Sequence, residues 1–291
     1  MNQFDLKTVP QEELVSFYGL LFSAGNSDKE LDKEDLSAIY ELIDLDLLDY
    51  QHKEIVKDFI LKPPDTDICL KTLSNGTEEL KFSVLVGIVE VALADDVIVD
   101  EEMLFLNRVC HELNITQEQL EAIINFIKEG KRIQREGLDN NAAELALKSA
   151  ASGLTAVGVP IAAVYFSGTV IGLSAAGITS GLATLGLGLG MVPGIGVAIL
   201  IGTGIFVSLK ALFGDSKKKK EKIIRGENER KSQLVIKNLH EAINKIISKI
   251  EELQVKALQS DANENAINEL KERLLKLKKI VLQKQGIAYV Q

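Results

Sequence analysis

The sequence predicts an all-α protein built from three blocks of contrasting charge. Three observations carry that expectation. Apolar residues recur three and four positions apart through most of the chain, as in "LVSFYGLLFSAG" from Leu14 and "LSAIYELIDLDLL" from Leu36, which is the spacing of a helix face. Aromatic residues make up only 5% of the chain and tryptophan is absent, whereas strands favour aromatic and β-branched runs. The net charge of −9 is also unevenly spread. Residues 1–148 carry 14 Lys and Arg against 31 Asp and Glu; residues 149–209 carry no Asp, Glu, Lys, Arg or His; residues 210–291 carry 19 basic against 11 acidic residues. These breaks divide the chain into an acidic domain over 1–130, a connecting helix over 131–148, an uncharged glycine-rich hairpin over 149–214 and a basic helical hairpin over 215–291.

In the acidic block, Pro63 and Pro64 separate two helical halves, because a prolyl pair neither continues a helix nor leaves the preceding residue free to be helical. Each half holds an apolar helix, an acidic turn and another apolar helix. With Leu31 set opposite Ile98, Asp32, Glu34 and Asp35 face Val99, Glu101 and Glu102, and the first copy carries a three-residue insertion after Ala24. The spacing therefore predicts a duplication. Cys69 and Cys110 stand alone, outside any CxxC pair, and fit buried free thiols in a reducing compartment. The opening "MNQFDLKTVPQEE" has neither the basic nor the apolar region of a signal peptide, so this block is expected in the cytoplasm.

The second copy, "ALADDVIVDEEMLFLNRVCHELNIT" over residues 92–116, resembles the signature of the TerB-like family associated with tellurite resistance. An alanine and an aspartate close one helix, an apolar residue sits in the turn, and a glutamate-led helix follows. The resemblance covers about residues 10–130, with Asp96 standing where a glycine is usual. It implies an all-helical fold of paired helices with acidic turns near metal or partner sites. On the residues themselves two readings stay open. Asp100, Glu101 and Glu102 fall in a first helical turn, where negative charge stabilises the helix dipole by about 0.3–1 kcal/mol each. Alternatively, Asp95, Asp96, Asp28 and Asp32 build a site for a divalent cation. An EF-hand is poorly supported, since neither turn has the glycine and final glutamate that such a loop needs.

The uncharged block is long enough for two membrane spans of about 20 residues each, from about Ala150 to Leu173 and from about Leu182 to Leu209. Basic residues flank both sides, which predicts a hairpin with both ends cytoplasmic. No GxGxxG or GK[ST] motif completes a phosphate site. Instead Gly186, Gly190, Gly194, Ala198 and Gly202 recur at every fourth position, preceded by Gly168 with Gly172 and Gly177 with Gly181. On a helix this is a small-residue stripe that lets another helix approach closely. Glycine dilutes the aliphatic residues that drive insertion, so stable insertion, conditional insertion and burial as a soluble core all remain open.

In the basic block, Lys217, Lys218, Lys219 and Lys220 read as an interfacial patch for anionic lipid headgroups or as a charged helix start. Beyond them Ile236, Leu239, Ile243, Ile246, Ile250 and Leu253 form one heptad seam, and Ile267, Leu270, Leu274, Leu277 and Val281 another. "QSDANENA" between them predicts a helical hairpin, with one long coiled coil as the alternative. The hairpin could cover the glycine-rich block or pair with other copies. Nucleic-acid binding is disfavoured, because the basic residues alternate with glutamate and lack aromatic partners. His52, His111 and His240 are scattered, and no catalytic motif is present, so an enzyme is not expected. The expectation is a membrane-associating, homo-oligomeric stress or defence protein in which the acidic domain docks a partner or senses. Its place would be the cytoplasm or the cytoplasmic face of the inner membrane. The alternative is a soluble scaffolding or metal-responsive module with the glycine-rich hairpin as core.

Overall fold

The computed structural model describes residues 6–28, 31–136, 149–160, 198–201, 205–208, 217–256 and 261–290. In the N-terminal unit, α1 (Gln11–Ala24), α2 (Lys33–Leu42), α3 (Tyr50–Asp58), α4 (Thr66–Leu73), α5 (Glu78–Ala92), α6 (Asp100–Leu113) and α7 (Gln117–Glu136) follow one another. Helices α1 and α5 form its centre. Both are apolar on nearly every side, the pattern of a helix enclosed by others: Leu14, Phe17, Tyr18, Leu20, Leu21 and Phe22 are buried in α1, and Val84, Leu85, Ile88, Val89 and Val91 in α5. They approach closely at Gly87, where an added Cβ would lie 3.1 Å from Leu21 and from Phe17.

Much of the acidic charge starts helices. Asp32, Asp49 and Asp65 are the N-caps of α2, α3 and α4, and each accepts from a backbone amide of the first turn. Pro63 and Pro64 fall between α3 and α4, at the division expected from the sequence. A buried tyrosine ties that first half together. The Tyr18 hydroxyl accepts from the Asp44 amide (3.1 Å) and donates to the Asp44 carbonyl (3.3 Å), so one side chain of α1 holds both polar groups of a backbone unit between α2 and α3.

Helix α8 (149–156) opens the uncharged block, and it packs into the same core rather than beginning a long span. Its Leu154 and the following Val159 are buried, and Gln119 of α7 donates to the Val157 carbonyl at 3.0 Å. The helix expected from Ala150 to Leu173 stops after 156, because Gly158 turns left-handed (φ 76°) and Pro160 follows. A second correction concerns the span placed from Leu182 to Leu209. Its far end holds two antiparallel strands, β1 (Ala198–Ile201) and β2 (Ile205–Ser208), with Ile199 opposite Val207 and Leu200 opposite Phe206. Two runs rich in β-branched and aromatic residues around "GTG" favour a hairpin over a helix. Ala198 of the glycine stripe therefore lies in a strand. Gly168, Gly172, Gly177, Gly181, Gly186, Gly190, Gly194 and Gly202 lie outside the described residues. Among the described residues no helix is long and apolar enough to cross a membrane. Apart from this short ladder the described fold is all-α.

Helices α9 (Lys217–Lys256) and α10 (Asp261–Val290) fold back on each other as the expected hairpin, here termed the arm. The arm does not stand apart. Its α9 packs on α2 and α3, and its α10 packs on α2. Leu239, Ile243, Ile246 and Ile250 are buried as the seam requires, but so are Val235, Asn238 and Ala242, because α9 is wedged between α10 and the acidic domain and buries a second stripe. The opposite charges of the first and last blocks meet at this interface. Lys237 pairs with Asp46 (2.6 Å), Lys245 with Asp58 (2.8 Å), Glu241 with Lys53 (3.2 Å), and Lys284 with Glu41. The hydrogen bond from Lys237 is the main reason the Asp46 carboxyl is held below the usual carboxylate range.

Candidate functional site

The duplication expected from the sequence is visible in how α2 and α6 begin. Asp32 and Val99 occupy the same N-cap position, and the residue three further on reaches back to the cap amide in both copies. The Asp32 amide donates to Asp35 (3.0 Å), and the Val99 amide donates to Glu102 (2.9 Å). Asp32 also accepts from the Asp35 amide (2.8 Å), completing a capping box; Val99 has no side-chain acceptor, so its box is half made.

The two acidic turns bear on one another. Burial pushes the Asp35 carboxyl up to about 7, against the backbone hydrogen bond from Asp32 and with the charges of Asp32 and Asp28 adding to the rise. Burial likewise raises Glu102, and the carboxylates of Asp95, Asp28 and Asp32 add to it. Charges from the first turn, Asp28 and Asp32, and from the second, Asp95, thus all act on Glu102, while Asp35 feels those of its own turn. The sequence carried a signal for these two reach-back acids, since the internal alignment sets Asp35 opposite Glu102.

Asp96 behaves differently. Its backbone is left-handed (φ 75°), the conformation a glycine adopts at least cost. Its carboxylate faces Lys131 of α7 at 3.5 Å, and the same ammonium donates to the Leu93 carbonyl at the end of α5. Lys131 closes the end of α5 and neutralises part of the turn. Periodicity alone does not reveal it. Among the described residues no group of three or more His, Cys, Asp or Glu side chains is arranged to hold a metal ion. The arrangement can take up protons near neutral pH, and it concentrates negative charge where a cation or a basic partner would be attracted.

Residues 11–125, which span the helix pairs and both acidic turns, match the family model described as tellurite resistance protein TerB. The N-terminal domain is TerB-like. No curated protein and no solved structure matches the chain. The TerB match ends within α7, so the uncharged block and the arm lie beyond it. Of the other residues singled out from the sequence, His52 hydrogen-bonds Asp49 beside the cap of α3 (2.8 Å), and Cys69 and Cys110 are buried free thiols. Burial raises both thiols, Cys69 to about 11 and Cys110 to about 12, which leaves them unreactive at neutral pH. Lys217, Lys218, Lys219 and Lys220 form the first turn of α9.

Proposed function

We propose that the chain is a membrane-associating stress or defence protein whose TerB-like domain holds and controls the uncharged segment. The observation that carries this reading is that both flanks of the segment are fixed to the same body. Leu154 and Val159 enter the core on one side, and α9 enters it from Val235 onward on the other. A stretch without Asp, Glu, Lys, Arg or His is thereby joined at both ends to one charged domain. The start of α9 supports the same reading. Four lysines occupy a first turn that holds no acidic residue, although the positive end of a helix dipole disfavours cations by about 0.3–1 kcal/mol each. An anionic headgroup layer at the mouth of the segment relieves that cost, at about 1 kcal/mol per basic residue. The protein would then act at the cytoplasmic face of a membrane.

Flotation of the purified chain with anionic liposomes loaded with dye tests this. Flotation with dye release is the outcome for a pore former, and flotation without release that for an anchor. Protein left at the bottom of the gradient overturns the membrane reading.

A second reading, a cation-responsive TerB-like module, is favoured by the charges of Asp28, Asp32 and Asp95 acting on Glu102, in a cluster that a cation would have to rearrange to be held. A divalent cation drawn to that locus would relieve the repulsion that raises Asp35 and Glu102. Calcium should then raise the melting temperature relative to chelator, and Asp95→Asn should remove the difference. Equal melting with calcium and with chelator removes this reading.

A further inference from the structure

Asn238 is fully buried on α9, where the arm packs on α2 and α3. Its amide nitrogen donates to the carbonyl of Ile43, the C-cap of α2, at 3.0 Å. The other half of the amide is different: Asn238 Oδ1 is buried and has no hydrogen-bond partner among the described residues. A carbonyl oxygen removed from water and left unpaired is costly, so its surroundings decide whether the helix can sit there.

A second polar group borders the same space. Tyr40 of α2 is buried, and burial alone holds its hydroxyl above the usual tyrosine range, with no hydrogen bond contributing. Tyr18, the other deeply buried tyrosine, has its hydroxyl bonded on both sides by Asp44. Tyr40 and Asn238 line one small cavity, walled by Phe22, Leu45 and Val56 and bordered by Lys57 of α3. Its volume open to a water-sized sphere is about 10 Å³, close to the room that a single water needs.

We infer that this cavity binds one ordered water, which donates to Asn238 Oδ1 and accepts from the Tyr40 hydroxyl, joining the arm to α2. The lining selects water over an ion. The Lys57 ammonium, itself paired with Glu54 (2.6 Å) and Glu241 (3.6 Å), repels a cation, and apolar walls cannot supply the set of oxygens that a metal ion takes. The Asn238 carbonyl repels an anion. A neutral molecule that both donates and accepts fits each group, and a bridging water is nearly as favourable as a direct hydrogen bond. Both halves of the Asn238 amide are then satisfied from α2, one by backbone and one through water. A slide of α9 along its axis breaks both bonds at once, so the hydrated node positions the arm. This inference goes beyond the membrane reading and does not depend on it.

A crystal structure of the full-length chain, at a resolution that shows ordered water, tests the site directly. One water peak within hydrogen-bond distance of Asn238 Oδ1 and the Tyr40 hydroxyl is the expected result. An empty cavity, or the two side chains bonded to each other, overturns the inference. Urea unfolding tests it in solution through Tyr40→Phe, Asn238→Leu and the double variant. Tyr40→Phe should lower the midpoint in the natural chain, because it removes one of the water's two partners. In the Asn238→Leu background, where the added methyl groups take the space of the water, the same change should have much less effect. Equal shifts in the two backgrounds overturn the shared water, and if Asn238→Leu does not fold, the electron density decides. Neither readout involves lipid, so failure here is distinguishable from failure of the membrane reading.

Discussion

Leu277→Ala should lower the stability of the whole chain by about 2–5 kcal/mol, whereas Lys237→Ala should lower it by less than about 1 kcal/mol. Leu277 is fully buried on α10 and belongs to the same apolar cluster as α1 and α5. Its truncation removes transfer energy and leaves a cavity in a wall shared by arm and domain. Lys237 and Asp46 are both half exposed, at 49% each, so their attraction is screened although the pair is short. The comparison decides what holds the arm. Val235, Leu239, Ile243, Ile246, Ile250, Ile267, Leu270, Leu277, Ile280 and Val281 are all buried, and each large aliphatic contributes about 1.5–3 kcal/mol. A handful of exposed ion pairs at about 0.2–1 kcal/mol cannot rival them. Charge therefore selects the face and the register, and the apolar seam supplies the grip. Urea titrations of both variants, repeated in high salt, measure this. A single transition is expected, with little movement of the midpoint for Lys237→Ala. Equal losses for the two substitutions, or an arm that melts separately as salt rises, would mean that charge carries the interface.

That division of labour also marks how far the sequence could be read. The central helices were legible because their burial is written as unbroken apolar periodicity, in "LVSFYGLLFSAG" and in "LKFSVLVGIVEVALA". The paired turns were legible because a capping pattern is local, so that Asp32 with Asp35 and Val99 with Glu102 fall in register. The seat of the arm was not. Val235, Asn238 and Ala242 look like the polar or small side of a two-helix seam until a third element covers them. Asn238 meets Ile43 and Lys237 meets Asp46 across nearly two hundred residues of chain, beyond the reach of any periodicity. The opposite net charges of the first and last blocks were visible, but their pairing depends on tertiary placement. At β1 and β2 two local signals conflict: every-fourth small residues suggest a helix, and β-branched runs around "GTG" suggest a hairpin. The strands follow the second, in keeping with the helix-weakening effect of repeated glycine.

Folding stability should fall as pH rises from about 4 to about 7, and Asp35→Asn should flatten that fall. In the folded chain Asp35 stands at about 7, against 3.8 for the free carboxyl, so between these values the folded state binds more protons than the unfolded state. A state that holds extra protons is favoured by acid, so this contribution is fully present below about 4 and is lost as pH climbs through 7. Glu102 is raised by the same surroundings and acts in the same direction. Three pKa units correspond to about 4 kcal/mol at most, but the side chain is partly exposed, and screening reduces the expected effect to roughly 1–2 kcal/mol. Below about 4 an opposite trend sets in, because Asp46, Glu54 and Glu129 are lowered by hydrogen bonds to Lys237, Lys57 and Arg132, and protonation removes those gains. The carboxamide that Asp35→Asn introduces still offers an oxygen to the Asp32 amide, so the reach-back contact survives while the charge is gone. Urea midpoints at pH 5 and pH 8 should therefore diverge in the natural chain and draw together in the variant, with the gain confined to pH 8. If the two proteins follow parallel pH profiles, the acidic turns do not store protons and their convergence has no energetic consequence. If the profiles differ as described, the place at which a basic partner or a cation would act on the TerB-like domain is the pair of reach-back acids, Asp35 beside Asp28 and Asp32, and Glu102, on which Asp95 acts as well.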